Sequence, residues 1–189
     1  MRLLIHACCA ACAIHPVETA LKDGYTPQAL FYNPNIQPGT EYERRKDALH
    51  KYCGPANVEL AEGEYAPLDY FVRTCRYEER DRRCEACWSL RMEETVKRAK
   101  ELGAGAFTTT LLASPYQNHE LIKSICQGLS SSSGLEFYYR DFREGFRPAH
   151  ARAREMGIYC QNYCGCIFSL VEREMEKKEK RGKKRAANK

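Results

Sequence analysis

Apolar runs of four to seven residues alternate along the chain with longer segments whose apolar positions recur at helical spacing. The runs at 2–7, 28–32, 57–60, 106–112 and 136–139 predict strands. The segments at 13–23, 41–52, 67–73, 85–102, 118–131 and 166–180 predict helices. That rhythm predicts an α/β protein with a mostly parallel sheet flanked by helices. Gly103 and Gly105 close the fourth helix, and 130–134 is a polar turn too short for an interdomain linker. No repeat interrupts the pattern. One domain over 1–176, followed by a basic tail at 177–189, is the expected organisation.

In an open parallel sheet the ligand crevice lies beyond the carboxyl ends of the strands. Cys8, Cys9 and Cys12 follow the first strand, the stretch Asn33-Pro34-Asn35-Ile36-Gln37-Pro38 follows the second, and Ala113-Ser114-Pro115-Tyr116-Gln117-Asn118 follows the fourth. Those cysteine-bearing and turn-rich loops are expected to share one site.

Composition narrows the chemistry. With no apolar run of about 18 residues and an opening too short for a signal-peptide core, a cytoplasmic protein without a membrane partner is expected. In a reducing compartment 11 cysteines point to metal or redox chemistry rather than to a disulfide framework. The formal net charge is +5, and much of the excess lies in the tail. Such a tail favours a polyanion through counterion release, or simply solvates a helix end. Arg73, Arg76, Arg80, Arg82 and Arg83 form a second basic stretch, diluted by Glu78, Glu79 and Asp81.

Seven cysteines fall into three groups, Cys8-Cys9-x-x-Cys12, Cys84-x-x-Cys87 and Cys164-x-Cys166. Close soft thiolates are what zinc and iron-sulfur centres need. In an extended chain the adjacent side chains of Cys8 and Cys9 point to opposite faces, which suits two neighbouring centres better than one. A 4Fe-4S cluster takes four thiolates, leaving three for a second metal. Cys84 and Cys87 are expected to open their helix, where free N–H groups and the positive dipole end favour thiolate. Gly165 allows the turn that aims Cys164 and Cys166 inward. A closed zinc site and thiol-disulfide exchange at Cys84 and Cys87 stay open as alternatives. Cys53, Cys75, Cys126 and Cys160 lack close partners and read as buried or incidental thiols. His6 reads as a satisfied core residue.

The segments His6-Ala7-Cys8-Cys9-Ala10-Ala11-Cys12, Phe31-Tyr32-Asn33-Pro34-Asn35-Ile36, Cys84-x-x-Cys87, Thr108-Thr109-Thr110-Leu111-Leu112-Ala113-Ser114-Pro115-Tyr116-Gln117 and Gln161-Asn162-Tyr163-Cys164-Gly165-Cys166-Ile167-Phe168-Ser169 together resemble the cobalamin-independent epoxyqueuosine reductase family. The resemblance spans nearly the whole chain. It departs in the first motif, where the family pattern has proline and this chain has Ala11, with Cys12 at the variable position that follows.

The resemblance implies a Rossmann-like (HUP-like) sheet and reduction of the epoxide of epoxyqueuosine in tRNA to the cyclopentene of queuosine. It further implies a 4Fe-4S cluster beside a second, mononuclear iron, without cobalamin. Loss of the epoxide oxygen needs two electrons, an electrophile and protons, so an external ferredoxin- or flavodoxin-like donor is expected. The expected partition puts Cys9, Cys84, Cys87 and Cys164 on the cluster and Cys8, Cys12 and Cys166 on the catalytic iron. Asn33, Asn35, Thr109, Ser114, Tyr116 and Gln117 are expected to line the substrate pocket, their amides, hydroxyls and ring suiting a modified base. The same residues also fit turn and strand-end chemistry. Arg44, Arg45, Arg147 and Arg152 are candidates for tRNA phosphates. The rival of another class is a zinc-stabilised nucleic-acid-binding module without catalysis. An ATP-dependent tRNA thiolation enzyme is disfavoured, because no glycine-rich phosphate loop follows the first strand, so no ATP is expected.

Overall fold

The computed structural model describes residues 1–187, with side chains described to Gly182. Asn188 and Lys189, at the end of the expected basic tail, lie outside the described residues.

Leu3, Leu4 and Ile5 are consecutive, apolar and fully buried, the signature of a strand covered on both faces. They form the middle of β1 (Arg2–His6), which pairs in parallel with β2 (Thr26–Phe31) on one side and β4 (Ala106–Thr109) on the other. The edges are β3 (Glu59–Glu62) and β5 (Glu136–Phe137), giving the order β3-β2-β1-β4-β5 with every pairing parallel. That is the strand order of one Rossmann-type half, in which the order reverses beside β1 and opens the crevice between the β1 and β4 exits. The sheet is therefore wholly parallel.

Among the described residues seven helices flank it: α1 (Ala10–Lys22), α2 (Gly39–Cys53), α3 (Pro67–Thr74), α4 (Arg80–Glu101), α5 (His119–Ser133), α6 (Phe146–Glu155) and α7 (Ile167–Ala187). Among the described residues, no helix is long and apolar enough to cross a membrane. The core runs from Ile14 and Val17 of α1 through β1 and β2 to Trp88, Met92 and Val96 of α4. Trp88, the chain's only tryptophan, is buried there directly after Cys87.

Most element ends differ from expectation by a few residues, and three of them shift for a clear local reason. The fourth strand stops at Thr109 because its hydroxyl accepts from Leu111 N–H and starts a 3-10 turn, Thr110–Ala113. α1 starts at Ala10 instead of 13, because extended Cys9 (φ −170°) caps it, its sulfur accepting from Cys12 N–H at 3.4 Å. α4 starts at Arg80, so Cys84 and Cys87 lie in its second turn rather than at its opening. Three residues apart, they share one face and keep part of the dipole's influence.

Candidate functional site

The β1 exit carries the first thiol group. Extended Cys9 followed at once by helix turns the chain so that Cys8, Cys9 and Cys12 converge, their sulfurs all within 4.8 Å of one another. The expectation that Cys8 and Cys9 face opposite ways is overturned, because β1 ends at His6 and its strand alternation does not continue through Cys8. Thr110, from the 3-10 turn after β4, holds Cys8 from both ends: its hydroxyl accepts from Cys8 N–H at 3.1 Å and donates to Cys8 sulfur at 3.4 Å. Gln161 Nε2 donates to Cys9 sulfur at 2.7 Å. Hydrogen bonds from Cys12 and Cys9 draw the Cys8 thiol well below its usual range, with Arg91 and Thr110 adding to them. Burial pushes Cys9 up, and Cys12 rises because it donates to Cys8. A soft cation would replace the protons of such a triangle.

The second and third groups sit on separate elements, α4 and the loop before α7. Cys87 is buried, and burial lifts its thiol to about 11. Cys84 is half-buried, raised by burial and then by the charge of Cys166. Cys164 and Cys166 bring their sulfurs to 3.5 Å, and the bond from Cys164 lowers Cys166 to about 5, with Ser169 contributing. Arg83 stacks on Phe168 at 4.3 Å and Arg80 pairs with Glu172 at 3.8 Å, which places the start of α7 against the opening of α4.

Two buried arginines organise the floor. Arg45, 1% exposed, pairs with Glu41 at 2.7 Å and donates to the carbonyls of Cys164 and Tyr163, both at 3.1 Å. It was expected as a phosphate contact, and its burial corrects that: its donors are spent holding the cysteine loop. Gln37 N–H adds a bond to the Gly165 carbonyl at 2.7 Å, so the loop after β2 and the loop before α7 are stitched together. Arg91, 3% exposed, donates to Asn33 Oδ1 at 3.0 Å and reaches Cys87 sulfur at 3.9 Å.

His6 is fully buried and locked between neighbours, as a core residue. Its Nε2 lies 3.1 Å from the Tyr32 carbonyl, which only accepts, so Nε2 carries the proton and Nδ1 accepts from Thr109 hydroxyl at 3.0 Å. Burial first, and Arg91 second, lower it to about 3 and keep it neutral.

The pocket residues expected from sequence divide into two sets. Asn33 and Thr109 are fully buried with their polar groups engaged, Asn33 by Ala7 carbonyl and Arg91, Thr109 by His6 and Leu111. Asn35 is 1% exposed, yet its Oδ1 has no partner among the described residues. Ser114 and Gln117 are half-buried, and Tyr116 is 81% exposed with its ring edge-on to Phe146 at 6.0 Å. Sequence reasoning missed Arg91, Thr110 and Gln161 as thiol partners. Thr110 and Gln161 stand inside the motifs already singled out, whereas Arg91 sits in the highly charged α4 and reads there as a solvated residue.

The remaining basic residues lie outward. Arg44 stacks on Tyr159, Arg152 pairs with Glu18, and Arg147 is exposed. Arg73, Arg76 and Arg82 line a cavity of about 310 Å³ with Tyr77, Glu85 and Ala86, at the start of α4 and one turn from the cysteine pair. Arg76 and Arg82 both stack on Tyr77, at 4.9 and 4.7 Å.

Fold and site thus define a class: a parallel α/β protein with a cluster of cysteines suited to a soft metal, set at the carboxyl edge of its sheet. Residues 3–172 match the family model described as epoxyqueuosine reductase QueH, and the chain belongs to that family of oxidoreductases. It is 37% identical over 179 residues to the epoxyqueuosine reductase QueH of Thermotoga maritima, covering 90% of this chain and 91% of that one. The protein of the same name from Dehalococcoides mccartyi is 31% identical, covering 91% and 94%. Among solved structures, a deacetylase of teicoplanin biosynthesis shares the fold at 11% identity and a TM-score of 0.50, covering 72% of this chain and 65% of that one.

Proposed function

We propose that this chain is an epoxyqueuosine reductase, converting epoxyqueuosine in tRNA to queuosine by removing the epoxide oxygen. The balance is two electrons and two protons in, one water out. The observation that carries the reading is the triangle of Cys8, Cys9 and Cys12 at the β1 exit, in a chain that matches the reductase family over residues 3–172.

The donor set fits the metals that the family resemblance implies. Seven thiols are grouped on loops and one helix face, and hydrogen bonds already favour the thiolate at Cys8 and Cys166. A 4Fe-4S cluster with an adjacent iron would supply electrons one at a time and a Lewis acid for the departing oxygen. Cys9, Cys84, Cys87 and Cys164 are assigned to the cluster, and Cys8, Cys12 and Cys166 to the iron. Among the pocket residues, Asn35, Ser114, Tyr116 and Gln117 are assigned to the modified base. Asn35 offers an unpaired amide oxygen and Tyr116 an exposed ring to stack on it. Asn33 and Thr109 hold the floor from below. The cavity of Arg73, Arg76 and Arg82 would take tRNA phosphates beside the site. Electrons come from a ferredoxin- or flavodoxin-like donor.

The test is anaerobic iron and sulfide analysis joined to a turnover assay on epoxyqueuosine-containing tRNA. A brown protein forming queuosine is the expected outcome; a fully loaded protein that forms none sinks the reading. A colourless, zinc-loaded protein would return the non-catalytic rival. Within the assignment, Cys12→Ala should lose iron but keep sulfide, whereas Cys84→Ala should lose both.

A further inference from the structure

The two buried arginines are not alike. Arg45 has a carboxylate, Glu41, at 2.7 Å. Arg91 is as deeply placed, 3% exposed in the middle of α4, but among the described residues it forms no salt bridge with a carboxylate. Its guanidinium has five donors and few acceptors. Asn33 Oδ1 takes one, and Asn33 is neutral. Arg91 Nε lies 3.4 Å from His6 Nε2, but the ring is held neutral and brings no negative charge. The remaining neighbour is Cys87 sulfur, 3.9 Å from Nη1. On the other side, the charge of Arg91 is felt at Cys8. Among the described residues, Cys87 sulfur is thus the only group in hydrogen-bond reach of Arg91 that can become an anion.

Burying a cation without an anion is costly even after relaxation. A chain that places one at this point needs the anion to arrive there, and thiolates bound to metal are the anions its neighbours can become. We infer that Arg91 is the fixed counter-charge of the thiolate centre, a positioning residue whose permanent cation makes it easier for the centre to accept an electron. The inference rests on reading the cysteines as ligands of a redox-active metal centre. Arginine side chains carry a permanent charge in proteins, so such a field on the site is constant. An added electron makes the centre more negative, and a buried cation in contact with one of its sulfurs stabilises that state over the oxidised one.

The experiment compares Arg91→Gln, which keeps a donor but removes the charge, with Arg91→Lys, which keeps the charge but loses the planar fork. Each protein is reconstituted anaerobically, and the midpoint potential is read by redox titration followed by electron paramagnetic resonance. Urea unfolding is measured on the metal-free form. For Arg91→Gln the reduction equilibrium should fall at least tenfold, about 59 mV lower for a one-electron couple, while Arg91→Lys should stay within threefold. Metal-free Arg91→Gln should have a urea midpoint at or above that of the unaltered chain, since it no longer buries a lone cation. Loading of the Lys but not the Gln variant would also support the counter-charge role. Equal shifts in both variants, no shift in either, failure of both to load, or a metal-free Gln variant that fails to fold would each overturn it, assigning Arg91 to structure alone. If the unaltered chain itself takes up no iron and sulfide, the proposed function fails rather than this inference.

Discussion

A Cβ placed on Gly165 would sit 2.9 Å from Ile36 Cγ1 and 3.1 Å from Arg45 Nη1, and the backbone there has φ +118°. Both facts exclude a side chain: the angle is one that L residues rarely adopt, and the space is taken by the arginine that holds the loop. Gly165→Ala is expected to lower stability by about 1–3 kcal/mol and to push Cys164 and Cys166 out of line with α4. Urea unfolding of the metal-free protein reads the first effect, and iron retained after desalting reads the second. An unchanged iron content would mean that the loop contributes no ligands. Ala11 poses the opposite case. It is fully buried in the first turn of α1, in a helix whose start is fixed by Cys9 as cap, so the chain reaches the convergent thiols without a proline there.

At the scale of elements, the loop after β2 and the loop before α7 behave as one unit because α2 fastens them. Glu41 and Arg45 lie one turn apart on α2, and Glu41 also accepts from Tyr159 hydroxyl at 2.8 Å. Arg45→Met would strand Glu41, itself only 6% exposed, and is expected to cost about 3–5 kcal/mol. Combining it with Glu41→Leu should recover most of that loss, since an apolar pair of similar volume often replaces a buried ion pair at little cost. Urea midpoints of the single and double variants check this, and equal losses in both would show that the carboxylate was not the stranded group. The β-α alternation, and with it the parallel sheet, was legible in the hydrophobic pattern because strands buried on both faces leave uninterrupted apolar runs such as Leu3-Leu4-Ile5. α6 was not legible: Phe-Arg-Pro-Ala-His-Ala-Arg-Ala-Arg-Glu has a proline and few large apolar residues, yet Pro148 falls in the first turn, where a missing N–H does no harm, and only Ala149 and Ala153 need to be buried. The seven grouped cysteines were legible from spacing, whereas Arg91 was not, because burial of one charged residue in a charged helix depends on which face the fold turns inward.

Over the whole molecule, charge and chemistry are distributed unequally. The β1, β2 and β4 exits and the loop before α7 converge on the thiols, while the three-arginine cavity opens at the start of α4. If that cavity takes substrate phosphates, the logarithm of tRNA affinity should fall linearly with the logarithm of salt concentration, with a slope of about −0.7 to −0.9 per phosphate neutralised. An Arg76→Ala, Arg82→Ala double variant should flatten that slope by roughly one to two such contacts while leaving the iron content unchanged. A slope that stays the same would move the phosphate track elsewhere.

Trp88 gives the molecule a built-in reporter. It is the chain's sole indole, it is shielded from water, and it follows Cys87 directly on α4. An iron-sulfur chromophore absorbs broadly where indole emits, so loading should quench intrinsic fluorescence and release of the cluster should restore it, with no added dye. Assembly, oxygen damage and repair of this centre can then be followed in real time on the unmodified chain. Zinc, which has no absorption there, would leave the emission bright.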